Sequence, residues 1–168
     1  PDLGVSGGVL GAAVLGEAAQ ALSSGSTGRL SMLADGDSDV SNVGALSLLE
    51  GEAGGDIDFS QAGDTVLGRL ASGGSVTFYA TGRVSDGNGD SDNIVADDLD
   101  LEAQQVGAAD GTVDALEIRV DELVVTANDG GIYLRNRDNG PLSLIRAGAA
   151  GGAVHRRTRG HLNTGTGA

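Results

Sequence analysis

The sequence predicts an all-β fold, a right-handed parallel β-helix (β-solenoid) built from stacked coils. Three observations support this class: apolar and polar residues alternate with a period of two, glycine-rich turns separate the alternating runs, and short phrases recur at a constant offset. An antiparallel β-sandwich is the alternative, because it also joins many short strands by turns. The constant offset and an aromatic content of only 2% favour the β-helix, whose coils bury a narrow aliphatic core against their neighbours.

The alternation runs through residues 29–146, which we assign to the solenoid domain. Apolar side chains occupy every second position in the runs 76–80, 99–103 and 116–120, with charged or hydroxyl-bearing side chains between them. This pattern is typical of strands with one buried face. Turn signals such as Asp110-Gly111 and Asn139-Gly140-Pro141 separate the runs.

Internal repetition predicts the size of a coil. The segment 54–59 (GGDIDF) matches 73–78 (GGSVTF) at an offset of 19 residues, and the same offset links Val76 to Val95 and Leu123 to Leu142. A second phrase, GDSD, occurs at 36–39 and at 89–92, with the same spacing to a following pair of leucines. Together these matches predict coils of roughly 19–25 residues.

The two ends of the chain differ from this body. In residues 1–28 the apolar positions follow helical spacing, which predicts a short capping helix; the many glycines favour a Gly/Ser linker instead. Residues 147–168 carry both histidines and a cluster of arginines, and we expect a flexible, strandless basic tail. The alternative for this tail is an arm that binds the acidic face of a neighbouring copy.

The charge balance narrows the range of partners. The chain has 24 acidic and 10 basic residues, a net charge of −14, and all ten basic residues are arginine. Such a surface repels nucleic acid and anionic lipid headgroups and attracts divalent cations or basic partners. No apolar run approaches the length of about 18 residues that a transmembrane helix needs.

The segment 94–147, IVADDLDLEAQQVGAADGTVDALEIRVDELVVTANDGGIYLRNRDNGPLSLIRA, resembles the filamentous-haemagglutinin-like repeats of very large bacterial exoproteins and adhesins. The likeness is carried by residues 96–103 and 126–136 and by Leu142 and Leu144, and it covers about a third of the chain. It implies a right-handed parallel β-helix, a secreted or cell-surface location, and a role in adhesion, biofilm formation or intercellular contact. It assigns no binding residues.

One acidic turn predicts a ligand site. Asp86, Asn88, Asp90 and Asp92 place oxygen ligands at alternate positions of a glycine-containing turn, as calcium loops do, and Asp97 falls at position 12. Ser91 stands where an EF-hand requires glycine, so the prediction is a simpler loop site for Ca²⁺. A shorter second copy comprises Asp35, Asp37 and Asp39. The competing interpretation is a solvated acidic turn, since Asp and Asn favour turns without any metal.

No pattern for catalysis is present in the sequence. There is no G-x-S-x-G nucleophile motif, and the absence of lysine excludes a Walker phosphate loop. Arg135 and Arg137 beside Asp138 predict an ion-paired solvent face.

We therefore expect a non-enzymatic structural or adhesive segment of a secreted or cell-surface bacterial protein, with no catalytic or cofactor-binding residues. Its expected partners are other copies of itself, the rest of a longer chain, or a host or matrix surface. Two other functions stay open: a calcium-dependent extracellular scaffold, and a polysaccharide-active β-helix enzyme that uses paired acids such as Asp97-Asp98.

Overall fold

The computed structural model describes residues 3–5, 13–15, 20–24, 28–108, 115–158 and 162–164, with side chains described for 28–108 and 115–157. These residues form an all-β, parallel β-solenoid of about seven turns, and they include no helix. Every strand pairing in these ranges is parallel. The predicted β-helix is confirmed, and the antiparallel sandwich is wrong.

The strands alternate between two sheets, so each coil contributes to both. Among the described residues, sheet A contains nine strands in the order β1 (Leu3–Val5), β3 (Gln20–Ser24), β5 (Ser38–Val43), β7 (Ile57–Ala62), β9 (Val76–Ala80), β12 (Asp98–Ala103), β15 (Glu122–Ala127), β17 (Leu142–Ala149) and β19 (Leu162–Thr164). Sheet B contains β2 (Ala13–Leu15), β4 (Gly28–Ala34), β6 (Leu46–Ala53), β8 (Thr65–Ser72), β10 (Arg83–Asp86), β11 (Ile94–Val95), β13 (Gln105–Val106), β14 (Leu116–Arg119), β16 (Ile132–Asn136) and β18 (Val154–Thr158).

One row of side chains runs through the core along sheet A. Val40, Phe59, Phe78, Leu101 and Val125 are register partners from coil to coil, and each is at most 1% exposed. The rings of Phe59 and Phe78 meet edge to face, with centroids 5.2 Å apart. Burying each of these side chains stabilises the fold by about 1.5–3 kcal/mol.

The sequence spacing along this row gives the number of residues in each coil. Successive partners are 19 residues apart from Val40 to Phe59 and from Phe59 to Phe78, then 23 apart to Leu101 and 24 apart to Val125. The 19-residue match of 54–59 with 73–78 is therefore confirmed, and these coils fall in the predicted size range.

Three other predicted equivalences between coils are wrong. Val76 pairs with Leu99 rather than being equivalent to Val95, and Leu123 pairs with Leu144 rather than Leu142. The two GDSD phrases are not equivalent either, since 36–39 leads into β5 of sheet A while 89–92 lies between two strands of sheet B. Later coils contain inserted residues, which a constant offset cannot describe.

Glycines form the corners where the chain turns from one sheet to the other. Gly44 and Gly63 lie between sheet A and sheet B and have φ of +118° and +132°, a region that favours glycine. At the opposite corner, Gly54 and Gly73 stack directly, and a Cβ on Gly73 would overlap the carbonyl oxygen of Gly54. The glycine content thus reflects close stacking of coils as well as turn conformation.

Both ends of the chain depart from the sequence-based expectations. The capping helix is wrong where the structure describes that segment, because Ala13–Leu15 and Gln20–Ser24 are strands that pair in parallel with β4 and β5. The strandless tail is wrong at Val154–Thr158 and Leu162–Thr164, which add strands to the two sheets. Coil stacking supplies backbone partners to segments whose own sequence pattern is weak.

The described ranges contain no helix that is both long and apolar enough to cross a membrane.

Candidate functional site

Sheet B is interrupted in the coil that follows β8. The strand β8 is continuous, but the next coil covers it with two short strands: Val84 of β10 pairs with Thr65, and Ile94 of β11 pairs with Leu70. The residues between β10 and β11 leave the sheet and return to it. We call residues 86–93 the Asp-rich loop.

Asn93 closes the junction where this loop returns to the sheet. Its side chain is fully buried. The amide nitrogen Nδ2 donates to the carbonyl oxygen of Leu67 at 2.8 Å in the preceding coil, and the oxygen Oδ1 accepts from the backbone N–H of Glu117 at 2.8 Å in the following coil. The amide therefore bridges three coils as a main-chain peptide group of an unbroken strand would.

The first half of the loop folds around the same amide. Oδ1 of Asp86 accepts from the backbone N–H of Asn88 at 2.9 Å, an Asx turn. Nδ2 of Asn93 lies 2.9 Å from this Oδ1 and 3.0 Å from Oδ1 of Asn88. The side-chain nitrogen of Asn88 in turn donates to the carbonyl oxygen of Gly68. Asp86 and Asn88 thus help to shape the loop through hydrogen bonds to protein groups.

Arginines from two later strands hold the second half of the loop. Nη1 of Arg135 lies 3.0 Å from Oδ1 of Asp90. Asp92 receives Nη2 of Arg119 at 2.9 Å and Nε of Arg137 at 3.6 Å. These ion pairs fasten the loop to the outer surface of sheet B.

Glu117 lies beneath the loop. Leu116 and Ile118 belong to the core cluster, so the alternation of β14 directs Glu117 to the outer surface of sheet B, yet its side chain is 0% exposed. Its Oε1 forms an ion pair with Nη1 of Arg135 at 3.2 Å, but within the described residues neither carboxylate oxygen accepts a hydrogen bond. We call Asp86, Asp90, Asp92, Glu117, Arg119, Arg135 and Arg137 the ion cluster.

Burial raises the pKa of Glu117 from its ordinary 4.5 to about 7. The guanidinium group of Arg135 opposes this change most strongly, the carboxylates of Asp86 and Asp90 add to it, and Arg137 opposes it more weakly. Glu117 can therefore exchange a proton in the neutral range of pH.

Four of the five residues of the predicted calcium loop lie in one segment of the chain, and the fifth does not. Asp86, Asn88, Asp90 and Asp92 all lie in the Asp-rich loop, whereas Asp97 lies at the corner before β12, where its backbone N–H donates to the carbonyl oxygen of Gly74. In the part of the chain that the structure describes, no three His, Asp or Glu side chains are grouped so that they could hold a metal ion. Calcium binding by this loop stays a prediction.

The second predicted set does not converge. Asp37 Oδ1 accepts from the backbone N–H of Asp56 at 2.9 Å, and Oδ1 of Asp56 accepts from Ser75 at 2.8 Å, so these carboxylates link successive corners. Asp39 lies on the outer face of β5 beside its register partner Asp58, while Asp35 is exposed at the corner. Burial and the neighbouring charge of Asp39 raise the pKa of Asp58.

The sequence did not single out Asn93 and Glu117. Glu117 occupies an ordinary polar position of an alternating run, and Asn93 simply follows an acidic turn. The sequence predicts an ion-paired face for Arg135 and Arg137 beside Asp138; in the structure Arg135 pairs with Asp90 and Glu117, and Arg137 pairs with Asp92. The sequence alone does not show which residues of successive coils are adjacent, so it contains no signal that these groups meet.

The polar groups of this site are arranged to hold the Asp-rich loop rather than to bind a substrate. Two shallow grooves, of about 150 and 210 Å³, lie on sheet A: one includes Thr77, Asp100 and Ile145, and the other includes Ser60 and Tyr79. Glu117 lines neither of them. Its titratable carboxyl group instead faces the loop and the arginines that fasten it.

Comparison with known proteins found no matching family model, no matching curated protein and no matching solved structure.

Proposed function

We propose that this chain is a non-enzymatic structural and adhesive segment of a secreted or cell-surface bacterial protein. The observation that supports this proposal is that polar groups stabilise the fold: the ion cluster, the most elaborate polar cluster in the described residues, fastens the Asp-rich loop to a continuous parallel solenoid. In the part of the chain that the structure describes, nine strands stacked about 4.8 Å apart give sheet A a length of about 40 Å. Such a body is suited to act as a stiff spacer or a binding rod.

The outer face of sheet A offers a surface for attachment. Asp98, Asp100 and Glu122 are exposed and adjacent, because Asp98 and Glu122 are register partners and Asp100 lies two residues along β12. This face is suited to basic partners or to cation-mediated contacts. Retention on a basic polymer or matrix protein would therefore fall as the salt concentration rises.

The adhesive role is tested by coating beads with the chain and measuring their retention on immobilised matrix proteins and polysaccharides. We expect saturable retention that the triple variant Asp98→Asn, Asp100→Asn, Glu122→Gln reduces severalfold. The matched control Asp35→Asn, Glu52→Gln, Asp129→Asn removes the same charge from other exposed positions and should retain binding. Equal loss of retention in both variants would show that retention depends only on net charge. If the parent chain is not retained at all, the adhesive role is excluded and only the structural role remains.

The structural role is tested by pulling a single chain from both ends. Coil-by-coil unfolding predicts extension steps that correspond to about 19–24 residues. A single step that releases the whole chain would contradict the spacer role. Turnover of a polysaccharide would replace this proposal by the enzymatic alternative.

A further inference from the structure

One nitrogen atom of Arg135 forms ion pairs with two carboxylates, one exposed and one buried. Its Nη1 lies 3.0 Å from Oδ1 of Asp90, whose side chain is 76% exposed, and 3.2 Å from Oε1 of Glu117, whose side chain is fully buried. Asp90 belongs to the loop, and Glu117 belongs to the strand beneath it. The loop and the buried group therefore compete for the same cation.

The charges around Glu117 come from every element beside it. Arg135 and Arg137 face it from β16 and the residue after β16, and Asp86 and Asp90 face it from the loop. Asp92 of the loop is held by Arg119 and Arg137. Asn93 contacts the backbone of Glu117, and Arg157 of β18 is the register partner of Arg135. Asp110 and Asp114 are close to Glu117 in sequence but lie outside the described residues.

The ion cluster is balanced only when Glu117 is neutral. Asp86, Asp90 and Asp92 then face three arginines, whereas an ionised Glu117 adds a fourth negative charge. That added charge is fully buried and accepts no hydrogen bond within the described residues, a costly arrangement. Release of the loop would admit water to the carboxylate and separate it from Asp90.

We propose that the Asp-rich loop is a proton-controlled clamp: neutral Glu117 leaves Arg135 to Asp90 and the loop stays fastened, whereas ionised Glu117 draws Arg135 away and the loop opens. Asn93 remains attached to β8 and β14 and acts as the fixed end. Gly89, with φ of +66° and nothing within 4 Å of the position a Cβ would take, lies between the two halves of the loop. At higher pH, opening frees the carboxylates of Asp90 and Asp92 from their arginine partners, independently of the adhesive role proposed above.

The experiment uses a spin label in the loop, which is straightforward because the chain has no cysteine. Ser91→Cys, an exposed position, is labelled with a nitroxide, and its mobility is recorded by electron paramagnetic resonance from pH 5 to pH 9. We expect a mobile component that grows with pH, with a midpoint near 7. In the Glu117→Gln background the label should stay immobile throughout. An unchanged spectrum in the parent chain, or a transition that persists in Glu117→Gln, would overturn the clamp.

Three controls separate the clamp from other changes. A label at Ser60→Cys, exposed on sheet A, must not respond to pH, since a response there would mean global loosening and would overturn the proposal. His155→Gln must leave the transition in place, because His155 stacks on Tyr133 away from the loop. Asp90→Asn should mobilise the Ser91 label even at low pH; if the label stays immobile there, the Arg135–Asp90 pair is not the fastening contact.

Discussion

The side chain of Asn93 accepts a hydrogen bond from the backbone N–H of Glu117 at 2.8 Å, so one buried amide joins the loop junction to the residue with the most perturbed titration in the described chain. On its other side the same amide donates to the carbonyl oxygen of Leu67. The coil can therefore leave sheet B and return without orphaning the backbone groups on either side. The inserted loop is compatible with the solenoid because the Asn93 side chain makes hydrogen bonds that the backbone of an unbroken strand would otherwise make.

Replacing Asn93 should weaken the fold. Asn93→Ala leaves the buried N–H of Glu117 without its acceptor, while the carbonyl oxygen of Leu67 loses one of two donors and keeps the N–H of Gly87. We expect the free energy of unfolding to fall by about 1–3 kcal/mol. Urea denaturation followed by circular dichroism measures this change. Asn139→Ala, at an exposed turn, is the matched control and should change stability by less than about 0.5 kcal/mol. Equal effects of the two variants would show that the amide bridge is not important.

Glu117 should make stability depend on pH in a defined direction. Its pKa in the folded chain is raised to about 7, so the folded state holds the proton more tightly than the unfolded state does. The corresponding stability is complete below the ordinary pKa of 4.5 and is lost as the pH rises to about 7. Glu117→Gln abolishes this loss, so its stability relative to the parent chain should increase by about 1–3 kcal/mol between pH 4 and pH 8.

Urea denaturation at the two pH values provides the comparison, because other titrating groups are common to both chains. Glu122→Gln removes an exposed carboxylate and should follow the parent chain. A constant difference between Glu117→Gln and the parent at both pH values would contradict the raised pKa.

The stacked glycine corner should not accept a side chain. A Cβ at position 73 would overlap the carbonyl oxygen of Gly54, which is main chain and cannot rotate away. We expect Gly73→Ala to lower the free energy of unfolding by about 1–3 kcal/mol. Gly148→Ala is the control, because a Cβ there meets nothing within 4 Å. Thermal or urea denaturation of the two variants decides the matter, and a neutral Gly73→Ala would mean that the coils can separate locally at little cost.

Calcium should stabilise the chain no more than sodium at matched ionic strength. Asp90 and Asp92 are already partnered by arginines, so a cation would have to displace Arg119, Arg135 or Arg137. Thermal melts in chelator, in millimolar CaCl₂ and in matched NaCl test this expectation. A calcium-specific rise in the midpoint that Asp92→Asn abolishes would instead establish the predicted loop site and favour the calcium-dependent scaffold.

The sequence by itself determined the class of the fold and the approximate size of its coil. Alternation at positions such as 76–80 settles which side chains face inward, since a strand directs successive side chains to opposite faces. The match of 54–59 with 73–78 also located a true register, because both segments belong to coils of equal length. Apolar periodicity and turn residues are local properties, and a single chain displays them directly.

Tertiary structure alone decided the longer coils, the strands at both ends and the candidate site. Insertions before Leu101 and Val125 shift every later register, so equal spacing no longer identifies partners. Glu117 looks like a solvent-facing residue of its strand, yet it is fully buried beside Arg135 of the following coil and near Asp86 and Asp90 of the preceding coil. The charged neighbours that give Glu117 its chemistry lie between 18 residues (Arg135) and 31 residues (Asp86) from it along the chain, and only the stacking of coils brings them together.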